Sequence, residues 1–323
     1  MRIISGEQAQ SILNIESALS LIRDIYRMAA AGRADVSHPA AMHMRGAPRT
    51  KTAFKVKGAV LDDLGVAGFR LIGDAEERQG GGAAYCYLID PRNAVPFALV
   101  DEGWLHRVRT ALTGLVAVAA LAPKAPKQLT LIGTGRIALE FVRHLDAVLP
   151  DVRLVLASRN AERAAQAALE WTDLIGRPVD AASSVAYAVR SADILVTLSD
   201  ADAILFGAED LKPGTLVCAM GGRREFGRAV LDRASRFIVD EIDFVCTAGN
   251  VASWIREGGI TRSEVEAAVD ETIGQVLTRT ERDPVPAGEI WLTVIQGMAA
   301  CDVGLAKWCF DKLTVGEDVH EAR

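Results

Sequence analysis

The chain has 323 residues, half of them hydrophobic and 24% charged, with a formal net charge of −6. That suits a globular enzyme of about two domains, and the negative balance argues against nucleic acid, since nothing would neutralise a run of phosphates. Its five cysteines, Cys86, Cys218, Cys246, Cys301 and Cys309, form no C-x-x-C pair. They fit neither a disulfide framework nor a zinc site, so no metal is expected, and a reducing, cytoplasmic setting is. MRIISGEQAQ lacks the apolar stretch of a signal peptide. The longest apolar run, near Leu112–Leu121, is interrupted by Thr113 and Gly114 and is too short for a bilayer, so no membrane partner is expected.

From about Glu7 to Ala31 the sequence places Leu19, Ile22, Tyr26 and Ala29 on one face, which predicts an amphipathic helix. Four β-rich runs follow, TAFKVKGAV, GVAGFRLIG, AAYCYLI and VPFALV, separated by turn signals at Gly80–Gly82 and Asp90–Asn93. A helix is predicted from about Asp101, with Leu105, Val108, Leu112, Leu115 and Ala119 at helical spacing; Pro123–Lys127 ends it as the first clear boundary. Beyond that point strands and helices alternate: LTLIG, RIALEFVRHLDAVL, VRLVLAS, NAERAAQAALEW, then ADILVTL, GTLVCAM and RFIVDE. This order implies βαβ crossovers and a parallel sheet covered on both faces. A last helix is predicted from Glu289 to about Lys312. The expected class is α/β, with a Rossmann-type doubly wound parallel sheet over 113–290 and an α+β domain built from 1–112 and 291–323.

Gly133-Thr134-Gly135-Arg136-Ile137-Ala138 fits G-x-G-x-x-A between a predicted strand and a predicted helix. Gly133 would permit the tight turn, Gly135 would let backbone approach a pyrophosphate, and Ala138 would let the helix pack closely. The helix N-terminus offers N–H groups and a positive dipole end to the anion. Gly133, Thr134, Gly135, Arg136 and Ile137 are therefore expected to bind a dinucleotide, with Ser158, Arg159 and Asn160 at the end of the second strand. No Asp or Glu stands there to accept from the ribose 2′-hydroxyl of NAD. Arg159 could pair with the 2′-phosphate of NADP, or be a solvated neighbour of Asn160, the expected cap of the next helix. NADP is favoured over NAD.

Arg109-Thr110-Ala111, the apolar helix after it, Ala122-Pro123 and LIGTGRIA together resemble the ornithine cyclodeaminase/mu-crystallin family. VLASRN at Val155–Asn160, Ile204–Gly207, Ala219–Gly222 and Gln296–Ala299 add to the likeness. The resemblance implies a homodimer whose N-terminal portion supplies the interface and the substrate pocket, and it adds Thr110, Thr197 and Gly221 to the cofactor set. Family members transfer hydride between nicotinamide and the α-carbon of an amino or imino acid. The expected reaction is NAD(P)H-dependent reduction of a small α-imino acid to an L-amino acid, with the reverse oxidation open. A redox-neutral cyclodeaminase with bound NAD, and an NADPH- and small-ligand-binding protein of mu-crystallin type, are the alternatives.

An α-imino acid needs cations for its carboxylate and a proton donor near its nitrogen. Arg109 is the expected carboxylate clamp. Lys55 and Lys57 share one strand face by the two-residue period, with Phe54 and Val56 on the other. A lysine held near other cations has a lowered pKa and suits proton donation. The family carries a lysine after a glycine-rich strand start, where this chain has Arg70; either Arg70 replaces it and binds carboxylate, or Lys57 carries the role. Arg33, His38 and His43 are weaker candidates. Where the cyclodeaminases have an aspartate after Gly-Gly or Gly-Ala, this chain reads Gly221-Gly222-Arg223-Arg224-Glu225. Arginine cannot serve as the base toward an amine, so cyclodeamination is not expected unless Glu225 substitutes.

Overall fold

The computed structural model describes residues 1–46, 52–75, 83–281 and 283–315. In chain order the elements are β1 (Arg2–Ile4), α1 (Gly6–Ile12), α2 (Ile15–Ala30), β2 (Ala34–Val36), β3 (Met42–Arg45), β4 (Thr52–Leu61), β5 (Val66–Ala75), β6 (Ala83–Asp90), β7 (Val95–Asp101) and α3 (Leu105–Leu121). Then come β8 (Gln128–Ile132), α4 (Arg136–Arg143), β9 (Arg153–Ala157), α5 (Ala161–Ile175), β10 (Val179–Ala181), α6 (Val185–Ser191), β11 (Ile194–Thr197) and β12 (Thr215–Ala219). The chain continues through α7 (Ala229–Arg233), β13 (Arg236–Val239), α8 (Ile242–Val245), α9 (Gly249–Arg256), α10 (Arg262–Ala268), β14 (Glu271–Thr272), α11 (Ile273–Leu277), β15 (Ile290–Val294) and α12 (Ala299–Val315). They form two compact units, residues 1–110 with the chain from Met298 onward, and residues 111–297.

The helix expected over Glu7–Ala31 is two helices. Asn14 accepts from the Ser17 N–H and caps α2, while Leu13 before it is extended. A short polar side chain that bonds its own neighbouring backbone opens a helix at that point instead of continuing one.

In the first unit a sheet runs β1-β7-β6-β5-β4-β2, with β3 also on β4; only β1 and β7 pair in parallel. The four predicted strand runs fall on β4 to β7. Alternation fixes the two faces: Ala59 and Leu61, Val66 and Gly68, Ala84, Cys86 and Leu88, and Ala98 and Val100 point to the side covered by α12 and α2. The opposite face shows Phe54, Val60, Phe69 and Tyr85, each about one third exposed, and Phe69 stacks on Tyr87 at 5.2 Å.

The second unit is a parallel sheet ordered β10-β9-β8-β11-β12-β15-β13-β14. The chain winds outward from β8 to β9 and β10 on one side and returns to β11 and β12 on the other. That reversal opens a crevice at the C-terminal ends of β8 and β11, the usual ligand position in such sheets. β9, β11 and β12 are buried almost throughout, as strands covered on both faces must be.

The segment from Glu289 departs from expectation. Ile290–Val294 is a strand, β15, between β12 and β13, and the helix starts only at Ala299. A fully buried run of five residues shows neither period, so periodicity cannot separate it from a buried helix. Gly297, at φ +88°, ends the run. The expected limits of 113–290 for the Rossmann domain thus give way to 111–297, with β15 inside it.

Candidate active site

In the second unit, β8 ends in the glycine turn. Gly133 has φ +130°, and a Cβ there would lie 2.3 Å from the Leu198 carbonyl oxygen, so no side chain is tolerated. A Cβ on Gly135 would meet nothing within 4 Å, which leaves its backbone open to a ligand. Ala138, in the first turn of α4, is buried. Around this turn lies a cleft lined by Gly133, Thr134, Gly135, Ser158, Arg159 and Arg163, and by the segment Leu198–Ala201 after β11. Backbone amides, a helix N-terminus and two arginines in one crevice form a site for a phosphorylated dinucleotide.

A buried carboxylate braces the far wall of this cleft. Glu225 accepts from the Thr197 hydroxyl at 2.6 Å, the Ser199 amide at 2.9 Å and the Ser199 hydroxyl at 2.6 Å. Asn250 Oδ1 in turn accepts from the Glu225 and Phe226 amides at 2.7 and 3.1 Å. A Cβ on Gly221 would stand 2.1 Å from Glu225 Oε2, so the turn after β12 needs glycine there to admit the carboxylate.

In the first unit, the covered face of the sheet carries charge. Lys57 of β4 stands opposite Arg70 of β5, and Lys55 lies two residues along the same face. Lys57, Arg70, Glu102, Arg109 and Asp302 are all buried. Asp302 of α12 accepts from Arg70 Nη1 at 3.0 Å and also pairs with Arg109; Glu102 stands 2.9 Å from Arg70 Nε. His106 Nδ1 lies 3.1 Å from Arg70 Nη1 and 3.2 Å from Arg109 Nη2. Guanidinium groups only donate, so Nδ1 accepts and the proton of a neutral ring sits on Nε2. Arg70 Nη2, Arg109 Nε and Nη1, and Asp302 Oδ2 are buried with no hydrogen-bond partner among the described residues. Buried donors on two adjacent guanidiniums call for an anionic partner with oxygen acceptors.

Burial and mutual repulsion set the protonation states. Burial, with Arg109, Arg70 and Lys55 nearby, brings Lys57 down to about 7, although Asp302 opposes the shift. Burial and Arg70 bring Lys55 down to about 8. Burial raises Glu102 to about 7, and burial together with Arg70 and Arg109 holds His106 well below its ordinary value. Burial pushes Asp302 upward, but Arg109, Arg70 and Lys57 outweigh it and keep the carboxylate below its ordinary value.

The model of the ornithine cyclodeaminase/mu-crystallin family matches residues 5–317. The chain belongs to that family. A Delta(1)-pyrroline-2-carboxylate reductase of Bacillus cereus is 27% identical over 241 residues, 72% of this chain and 73% of the relative. The same fold occurs in the Thermococcus litoralis Delta(1)-pyrroline-2-carboxylate reductase solved with NADH and L-proline, at TM-score 0.86 and 19% identity over 98% of both chains. It occurs also in an archaeal alanine dehydrogenase dimer with bound NAD, at TM-score 0.87 and 21% identity over 98% and 97% of the two chains.

Among the residues singled out in this family member, Lys55, Lys57, Arg70 and Arg109 come together in one cluster, and both candidates for the family's lysine position lie in it, face to face. Thr110 borders it, its hydroxyl 3.3 Å from His106 Nδ1. Ser158 and Arg159 line the cleft, whereas the Asn160 side chain is taken up in capping α5 by accepting from the Arg163 amide. Thr197 is buried and donates to Glu225, and Gly221 makes room for that carboxylate; both act behind the cleft wall. Arg223 is 61% exposed. Arg33 pairs with Asp63, and His38 stands 3.9 Å from Asp35 at the surface. Sequence reasoning missed Glu102, His106 and Asp302. His106 could have been found, because three residues before Arg109 is the same helix face. Asp302, a lone charge in the apolar stretch AACDVGLA, was the other signal.

Proposed function

We propose that this protein reduces a small α-imino acid to an L-amino acid with NAD(P)H, and oxidises the amino acid when product and oxidised cofactor are supplied. The observation that carries this reading is the set of partnerless buried donors on Arg70 and Arg109 beside the buried Lys57. The glycine turn and the arginines at the cleft fit a dinucleotide, which when bound supplies the hydride. Arg70 and Arg109 neutralise and orient the substrate carboxylate, and Asp302 and Glu102 fix the guanidiniums in place. His106, neutral, accepts from both arginines and adds no further positive charge. Lys57 in its ammonium form gives a proton to the imine nitrogen as it becomes an amine. Asp302 Oδ2 offers an acceptor to the nitrogen's own N–H.

NADP is favoured over NAD because Arg159 and Arg163 both line the cleft and Ser158-Arg159-Asn160 offers no carboxylate to a ribose hydroxyl. A homodimer is the expected assembly: the exposed Phe54, Val60, Phe69 and Tyr85 form an apolar sheet face that a second copy would cover. The cysteines are all unpaired, in keeping with the cytoplasm. Cyclodeamination is disfavoured, since Arg223 points outward and Glu225, the one substitute base, already accepts three hydrogen bonds.

The test is to follow NADPH and NADH consumption with a panel of 2-oxo acids plus ammonia or methylamine. Steady consumption with amino-acid product supports the reading. Proline formed from L-ornithine without net cofactor turnover, or tight NADPH binding with no turnover of any imine, would overturn it.

A further inference from the structure

Arg70 and Arg109 are like charges held side by side, and two acceptors join them. Asp302 Oδ1 accepts from Arg70 Nη1 at 3.0 Å and pairs with Arg109 Nη2. His106 Nδ1 lies 3.1 Å from the same Arg70 Nη1 and 3.2 Å from the same Arg109 Nη2. The four atoms close a circuit in which two nitrogens alternate with two acceptors. Helix α3 brings His106 there, since residues three apart share a helix face with Arg109. Thr110 donates its hydroxyl to the His106 carbonyl at 2.8 Å, which leaves Nδ1 to the arginines.

The circuit also decides what is left for a ligand. A terminal guanidinium nitrogen carries two hydrogens. Arg70 Nη1 and Arg109 Nη2 each meet two acceptors, so neither has a hydrogen to offer elsewhere. Arg70 Nη2 and Arg109 Nη1 and Nε remain, buried and without a partner among the described residues. An incoming carboxylate therefore meets both arginines, through the donors that the circuit leaves over. Because guanidiniums only donate, Nδ1 carries no proton and the imidazole is neutral. A neutral acceptor satisfies donors that would be costly to bury unpaired, yet leaves the charge of the arginines standing for an anion. A carboxylate in the same place would bond the same nitrogens and cancel that attraction.

We propose that His106 is a positioning residue: its Nδ1 locks Arg70 and Arg109 together, aims their remaining donors at the substrate carboxylate, and does so without spending the clamp's charge. This rests on the reductase reading above and adds a residue that acts on the substrate through the two arginines. Without the acceptor, Asp302 Oδ1 is the single atom joining the two guanidiniums, and each can turn about it. One hydrogen on each circuit nitrogen is then released to compete for the ligand. Asparagine is the conservative replacement, because its Oδ1 hangs from Cγ as Nδ1 does. Aspartate has the same shape and supplies the acceptor with a negative charge.

The experiment compares the full chain with its His106→Asn, His106→Leu and His106→Asp variants. The binding arm titrates pyrrole-2-carboxylate, a planar acid with no imine to reduce, by calorimetry with NADP+ present. The kinetic arm measures KM and kcat with NADPH for the fastest imine formed from a 2-oxo acid and methylamine. His106→Asn should keep Kd and KM within about fivefold of wild type. His106→Leu and His106→Asp should raise both by more than about fivefold, with kcat changing less than KM, because the grip is lost from ground state and transition state alike. A merely structural histidine would instead lower the folded fraction, and so kcat, with Kd and KM unchanged. Thermal melting and unaltered NADPH binding show that each variant is folded; if His106→Leu is not, the asparagine–aspartate pair decides. Leucine or aspartate variants that grip like wild type, an asparagine variant that loses as much as they do, or a wild type that does not bind the probe overturns the inference and leaves the reductase reading standing. If no imine is reduced, the reductase reading falls, and the pattern of probe affinities still decides the role of His106.

Discussion

Replacing Asp302 by asparagine keeps the shape of the side chain and removes the charge that holds the cluster together. Two effects follow. Asp302 pairs with both Arg70 and Arg109 at essentially zero exposure, and deleting one member of a buried ion pair costs about 3–5 kcal/mol. An asparagine Oδ1 still accepts hydrogen bonds, so a loss of about 2–3 kcal/mol in folding stability is the reasonable expectation, within the range for charge-assisted bonds. The second effect is on Lys57. Asp302 is the group that pulls its pKa upward, against burial and three neighbouring cations. An opposite charge at such depth contributes on the order of 2 kcal/mol at an effective dielectric near 20, and 1.36 kcal/mol is about one pH unit. If Lys57 is the proton donor, activity is present while it is charged and is lost as pH rises through about 7. In Asp302→Asn that limb should move to lower pH by more than about one unit. The measurement is kcat/KM for imine reduction from pH 5 to 9 in both proteins, with thermal melting to record the stability loss. A limb that stays where it was while stability falls would refute Lys57 as the group titrating there.

Arg109→Lys keeps charge but loses the planar fork, so kcat/KM should fall by about 10²-fold or more while NADPH binding is retained; near-normal efficiency would make Arg109 structural. Arg159→Ala should weaken NADPH by about 1–3 kcal/mol and NADH much less, read from the two dissociation constants; equal weakening of both would remove the 2′-phosphate role. Gly133→Ala places a methyl against the Leu198 carbonyl at a backbone angle that alanine rarely adopts, so cofactor titration should show binding largely abolished, and intact affinity would disprove the tight-turn argument.

Local pattern made much of this readable. The glycine turn announced itself between a strand and a helix, and the alternation in TAFKVKGAV put Lys55 and Lys57 on one face before any pairing was known. The open choice between Lys57 and Arg70 dissolved on pairing, because the β4–β5 register sets the two opposite each other. Strand register is a relation between segments, and neither segment alone contains it. Asp302 lies 232 positions from Arg70, and no spacing rule reaches that far. β15 was read as helix because a short, wholly buried run has no amphipathic signature. The carboxylate of Glu225 behind Thr197 and Gly221 was not legible, because the hydrogen bond it accepts from Thr197 spans 28 positions and no local pattern carries it.

The position of β15 bears on how the chain is made. Strands β12 and β13 are separated in the sheet by a strand that leaves the ribosome some fifty residues after β13. Until Ile290–Val294 emerges, the nascent sheet exists as two fragments with open inner edges, rows of unpaired amides and carbonyls of the kind that recruit foreign strands. A nascent chain stalled before residue 290 should therefore aggregate or engage chaperones. One extended by a few tens of residues more gains the keystone strand and then the helix carrying Asp302, so the stretch from residue 290 to residue 315 completes both units.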